Sequence, residues 1–105
     1  MAKKKSKKKK LKEVVKKEED IVLGLFLKKK REEAGLTQKD VQEHMGYTTP
    51  QFISNWERGL ISPPDNTLVE LVSLYDIKPI ELVQLLVEQQ DTKWKILLGL
   101  KVVTV

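Results

Sequence analysis

The side chains of this chain that could do chemistry are of two kinds, clustered ammonium groups and short polar groups. Ten lysines and a single acid, Glu13, stand in the first 17 residues. Ammonium groups at that density hold polyanions, by neutralising phosphates and releasing their counterions. The block Lys3, Lys4, Lys5, Lys7, Lys8, Lys9 and Lys10 repels itself and buries nothing, so it is expected to be disordered when free. A solubilising tail and attachment to an anionic membrane are the competing readings. The short polar groups are Gln51, Ser54 and Asn55, set at helical spacing opposite Ile53 and Trp56. Amides and hydroxyls in such an array recognise by hydrogen bonding and do not make or break bonds.

Other chemistries lack their residues. The chain has no cysteine and one histidine, His44, which excludes disulfides, thiolate sites, a Cys nucleophile and a His-based zinc site. Its five glycines are scattered along the chain, with no phosphate-cradling loop. No nucleophile stands with a base, so no enzyme, no metal and no cofactor are expected. No apolar run approaches the ~20 residues that span a bilayer, and no secretory signal opens the chain. A cytoplasmic, nucleoid-associated protein without membrane contact is the expectation.

Charge divides the chain. The overall charge is +5, yet residues 18–105 hold ten basic and fourteen acidic groups, a balance of −4. A basic arm is joined to a mildly acidic body. At 105 residues the body has room for one small core.

The elements that must position the polar array are helices. Ile21, Val22, Leu25 and Phe26 predict a first helix over about 20–34, ended by Gly35. Glu13–Glu19 could extend it backwards, which the charge pattern does not decide. Thr37 with Asp40 three residues on is a short capping box. It opens a second helix carrying Val41 and Met45 and ended by Gly46. Thr49 suits an N-cap and Pro50 a first helical position, so the third helix runs from about 50 to 58 with Gly59 as its cap. Pro63-Pro64 forbids helix. A fourth helix takes 67–75, with Leu68, Leu71, Val72 and Tyr75 on one face. The fifth starts at Pro79, repeats Ile80, Val83, Leu86 and Val87, and fades near Gln90. Lys101–Val105 has strand-forming composition. Tyr47 and Trp56 read as core, and His44 as solvated.

Two short helices joined by a tight, glycine-containing turn have the shape of a helix-turn-helix. The string Gly35-Leu-Thr-Gln-Lys-Asp-Val41, then Met45-Gly-Tyr47, then Pro50-Gln-Phe-Ile-Ser-Asn-Trp-Glu-Arg-Gly59 makes the likeness specific. With Pro63 or Pro64, Thr67-Leu68 and Leu71, it resembles the phage-repressor-like (Cro/Xre-type) helix-turn-helix DNA-binding family from about Leu23 to Gln90. The resemblance implies an all-α, compact five-helix lambda-repressor-like domain over 20–90. A disordered lysine-rich arm, 1–19, precedes it and a short tail, 91–105, follows. It also implies DNA binding as a homodimer, in transcriptional control.

Carried over residue by residue, the resemblance assigns roles. Gln38 would bond a phosphate and buttress the third helix. Gln51 and Asn55 would face base edges in the major groove, where amides suit adenine. Thr49, Pro50 and Ser54 would lie beside them, against phosphate or sugar, and Arg58 would meet the neighbouring backbone. Glu57 would be structural, pairing with a base of the first helix such as Arg31. Two positions depart from the pattern. Gln42 stands where the family has Ala, beside a turn one residue longer; it either fills that space or reaches DNA. Phe52 stands where the family has a small polar residue; it either packs on Trp56 or touches a thymine methyl.

The function expected is a sequence-specific DNA-binding regulator that reads the major groove of double-stranded DNA, helped by phosphate contacts from the lysine arm. The alternative is a protein-interaction module of the same fold, such as an antitoxin or regulator partner, docking through 91–105.

Overall fold

The computed structural model describes residues 7–100, with side chains from Lys10 onward. Its helices are α1 (Lys7–Glu33), α2 (Gln38–Met45), α3 (Gln51–Glu57), α4 (Asp65–Leu74) and α5 (Pro79–Leu97). No strand occurs among the described residues. The strand expected at Lys101–Val105 lies outside them, as do Lys3, Lys4 and Lys5.

α1 starts thirteen residues before the predicted helix, so the segment read as a flexible arm is helical from Lys7. Lysine is a good helix former, and no Gly or Pro interrupts 7–23. Val15, 5% exposed, gives this half an apolar anchor. The buried face of α1 also differs from the predicted one. Leu23 and Leu27 enter the core, and of the predicted face Phe26 packs partly buried against it, whereas Ile21, Val22 and Leu25 remain exposed. Gly24 supplies the reason. A Cβ there would stand 2.3 Å from the Trp56 carbonyl oxygen and 2.8 Å from that of Glu57. The end of α3 therefore lies directly on the α1 backbone, and Leu23 and Leu27, on the same side as Gly24, go inward with it.

α4 starts at Asp65, two residues early, and presents the predicted face, with Leu71 and Tyr75 buried and Leu68 and Val72 partly so. α5 starts at Pro79 as predicted and then continues past Gln90 to Leu97. An i,i+4 pair, Lys95 Nζ to Asp91 Oδ2 at 2.8 Å, supports the extra turns. Gly99, at φ 73°, takes the left-handed conformation that stops the helix, and the Leu100 N–H returns to the Lys95 carbonyl at 2.8 Å. Residues 91–97 of the segment read as a separate tail are thus the end of α5.

One core gathers Leu27, Val41, Ile53, Leu71, Ile77 and Leu82 with their neighbours. Beyond it, α1 and α5 run antiparallel. Lys30 Nζ meets Glu81 Oε2 at 2.6 Å, and eleven residues earlier on α1 the Glu19 carbonyl accepts from Gln89 Nε2 at 3.1 Å. Val15, Val22, Leu85 and Ile96 line a groove of about 220 Å³ between the two.

Candidate nucleic-acid interface

α2 begins as the capping box requires. The Asp40 N–H donates to Thr37 Oγ1 at 3.0 Å and the Thr37 N–H to Asp40 Oδ2 at 2.8 Å. That backbone N–H, with the threonine hydroxyl, holds the Asp40 carboxyl below its ordinary range. Gly46, at φ 74°, ends α2 in the left-handed conformation. The turn that follows is tied from inside. Gln42 Nε2 donates to the Tyr47 carbonyl at 3.0 Å, and the Tyr47 N–H to the Gln42 carbonyl at 3.0 Å.

α3 follows, with Thr49 Oγ1 accepting from the Gln51 N–H at 3.1 Å. Pro50 takes the cap position, and Thr49 satisfies the first donor from one residue outside. Ile53 and Trp56 are buried, and they fix the rotation of the helix about its axis. Gln51, Phe52 and Arg58 are left exposed, with Ser54 and Asn55 half-buried. Gln51 Nε2 donates to Asn55 Oδ1 at 2.8 Å. The two amides form one surface pair, one helical turn apart. The bond leaves the Asn55 NH2 and the Gln51 carbonyl oxygen free for a partner outside the chain.

A charged network braces this helix from behind. Arg31 Nε donates to Glu57 Oε2 at 2.6 Å and Arg31 Nη2 to Glu57 Oε1 at 3.1 Å, in a buried, bidentate pair. Arg31 Nη1 also donates to the Leu36 carbonyl at 2.7 Å, which fixes the α1–α2 turn. The hydrogen bond to Glu57 raises the Arg31 guanidinium above its ordinary value. Gln38 Nε2 donates to Glu57 Oε1 at 2.9 Å. A single carboxylate thus joins α1, α2 and α3. Nearby, burial first and the Glu57 charge second push the Tyr75 phenol up.

Residues 27–82 match the family model described as helix-turn-helix. That is more than half of the chain, and it contains every element just described from Leu27 onward. The chain belongs to the Cro/Xre-type helix-turn-helix family. Two relatives are named as HTH-type transcriptional regulators. Over 55 residues, 52% of this chain, it is 38% identical to the HTH-type transcriptional regulator ImmR of Bacillus subtilis (strain 168). That match spans 42% of the Bacillus protein, so the chain covers under half of that relative's length. Over 62 residues, 59% of this chain and 79% of the other, it is 36% identical to y4dJ of Sinorhizobium fredii (strain NBRC 101917 / NGR234), named as an uncharacterized HTH-type transcriptional regulator. No solved structure matches the chain.

Within this helix-turn-helix, both departures from the family pattern have a structural outcome. Gln42 fills the space beside the longer turn and spends its amide on the Tyr47 carbonyl. Phe52 packs on Tyr47, ring centroids 5.1 Å apart, rather than on Trp56. Tyr47 in turn meets Trp56 edge-on at 6.1 Å. Phe52 stays 55% exposed at the rim of the polar face and is not a core residue.

Of the residues singled out in the sequence, Thr49, Pro50, Gln51, Phe52, Ser54, Asn55 and Arg58 come together on α3 and its approach. Gln38 joins them from α2 through Glu57. The described lysines of the arm lie elsewhere. Lys7–Lys10 form the first turn of α1, and Lys10 lies 14 residues before Gly24, about 21 Å along the helix at 1.5 Å per residue. Spacing alone reads Tyr47 as core. Its role as the platform under Phe52 depends on a turn geometry that spacing does not reveal. Among the described residues, no helix is long and apolar enough to cross a membrane.

Proposed function

We propose that the chain is a sequence-specific DNA-binding regulator that reads the major groove with α3. The observation that carries this reading is the hydrogen-bonded pair Gln51–Asn55 on the exposed face of a helix held rigidly from behind. The free NH2 and carbonyl oxygen of that pair match the acceptor and donor that an adenine edge presents. Ser54 and Arg58 flank the pair and suit phosphate or sugar, and Phe52 suits a thymine methyl. Gln38, held by Glu57, would keep its second amide hydrogen for a phosphate.

The lysines are the nonspecific part of the same reading. Lys7–Lys10 stand on the first turn of α1, so they would meet phosphates to one side of the α3 site rather than fold over it. Two copies would set their α3 helices about 34 Å apart, one duplex turn. A regulator of this kind would sit on the nucleoid, in the cytoplasm.

Selection of binding sites from random duplex DNA tests the reading. The wild-type chain enriches a motif, and Gln51→Ala with Asn55→Ala abolishes the enrichment while weak binding persists. No motif with the wild type overturns it. Replacing Lys7–Lys10 by Gln flattens the salt dependence, by about 0.9 in log affinity per decade of salt for each phosphate no longer neutralised, and leaves the motif unchanged.

A further inference from the structure

Gln42 and Phe52, the two departures from the family pattern, belong to one structural unit. The Gln42 amide donates to the Tyr47 carbonyl, and the Tyr47 N–H returns to the Gln42 carbonyl. The Tyr47 ring so placed stands 5.1 Å from that of Phe52, at an interplanar angle of 57°. It also meets the ring of Trp56, which is in the core. A chain of contacts therefore runs from the turn, through Tyr47, to an exposed ring. Aromatic pairs of this kind are directional, so Phe52 is held in place although 55% of its surface is in solvent. It also borders the amide pair. At 100° per residue, Phe52 lies about 60° around α3 from Asn55. The outward face of α3 thus combines two amides with one fixed apolar group.

In the major groove, base edges carry donors, acceptors and a single apolar group, the C5 methyl of thymine. A phenyl ring makes no hydrogen bond to a donor or acceptor in the base plane, so that methyl is what it can recognise. 5-Methylcytosine carries the same methyl at the same ring position, with the donors and acceptors of cytosine. We infer that Phe52, positioned by Tyr47 and Gln42, reads pyrimidine C5 methylation as such. At its base pair the chain prefers thymine to uracil, and 5-methylcytosine to cytosine, by the same factor. Methylation of a cytosine at that place therefore tightens binding. Burial of one methyl group sets the factor at about four-fold. Phe52 touches the base, whereas Tyr47 and Gln42 act through it. The inference rests on the DNA reading above and adds to it a regulation by the chemical state of the DNA.

Duplexes of the selected motif supply the probe, with binding of the full chain followed by fluorescence anisotropy. Thymines are replaced by uracil one at a time. With the wild type, one position per half-site loses about four-fold in affinity. There, 5-methylcytosine opposite guanine binds more tightly than cytosine by the same factor. Phe52→Ser brings both ratios to unity, while the preference set by Gln51 and Asn55 at the other positions persists. Tyr47→Leu lowers both ratios and keeps that preference; a role in stability alone would weaken binding to every duplex equally. Where Tyr47→Leu lowers the helical circular dichroism signal, Gln42→Ala takes its place. An enriched motif in which no uracil replacement matters sinks the inference and leaves the DNA reading standing. So do ratios that survive Phe52→Ser. With no enriched motif the DNA reading falls and takes the inference with it.

Discussion

At one end of α1, Arg31 gives two nitrogens to Glu57 and a third to the Leu36 carbonyl. At the other end, Val15 alone is buried among residues 10–19. The same helix belongs to two regions held by different physics. Around Glu57, directional bonds and close backbone contact at Gly24 fix the geometry. Beyond Glu19, α1 and α5 lie side by side along an open groove, with apolar surface still in water. Stability is not uniform across a fold, and elements with few buried contacts open first. The rigid region is the one on which the proposed base readout depends.

The largest expected effect breaks the first region at its hub. Glu57→Ala leaves a buried guanidinium unpaired and should cost about 3–5 kcal/mol. Chemical denaturation measures it, and a cost near that of an exposed pair would mean that Glu57 is not the junction described. Next comes the backbone contact. Gly24→Ala places a methyl carbon 2.3 Å from the Trp56 carbonyl, so α1 must shift, at about 1–3 kcal/mol. The two changes share neighbours and should be non-additive. Neither should alter amide exchange at 10–17 as strongly as at 27–33, because those residues lean on α5 and not on α3.

The difference between regions also decides what the sequence could tell. The Thr37–Asp40 capping box, Gly46, Pro79 and the Ile53/Trp56 pair are local signals, and each lies where the pattern put it. The Arg31–Glu57 pair came from the family resemblance, since nothing local links residues 26 apart. The errors lie where tertiary contact overrides local pattern. Ile21, Val22 and Leu25 looked like a core face, but the packing of Gly24 on α3 selects Leu23 and Leu27. On α5 the periodicity was sound. It pointed to the uncovered face, because Leu82 and Leu85 form an equally periodic stripe on the other side. Lysine repulsion suggests a flexible arm; lysine's own helix propensity and the buried Val15 allow a helix instead.

The smaller tests sharpen the comparison at the start of α2, within the rigid region. Thr37→Ala removes the acceptor for the Asp40 N–H and should cost about 1 kcal/mol. Asp40 has its folded pKa lowered by the Thr37 N–H, so its ionised form favours the fold. That contribution is present above the unfolded carboxylate value of ~3.9 and is lost as pH falls through the lower folded value. Asp40→Asn keeps an oxygen to accept the same bond but removes the charge. Thermal melts of the two proteins should therefore differ at neutral pH, with the wild type higher, and converge in acid. The sign follows from the cap alone, because every other carboxylate is common to both chains. A constant gap across the range would mean that the Asn side chain fails as an acceptor, and a gap that widens in acid would refute the capping assignment. Amide exchange at 10–17 should be the same in both proteins, since α2 shares no bond with the two-helix extension.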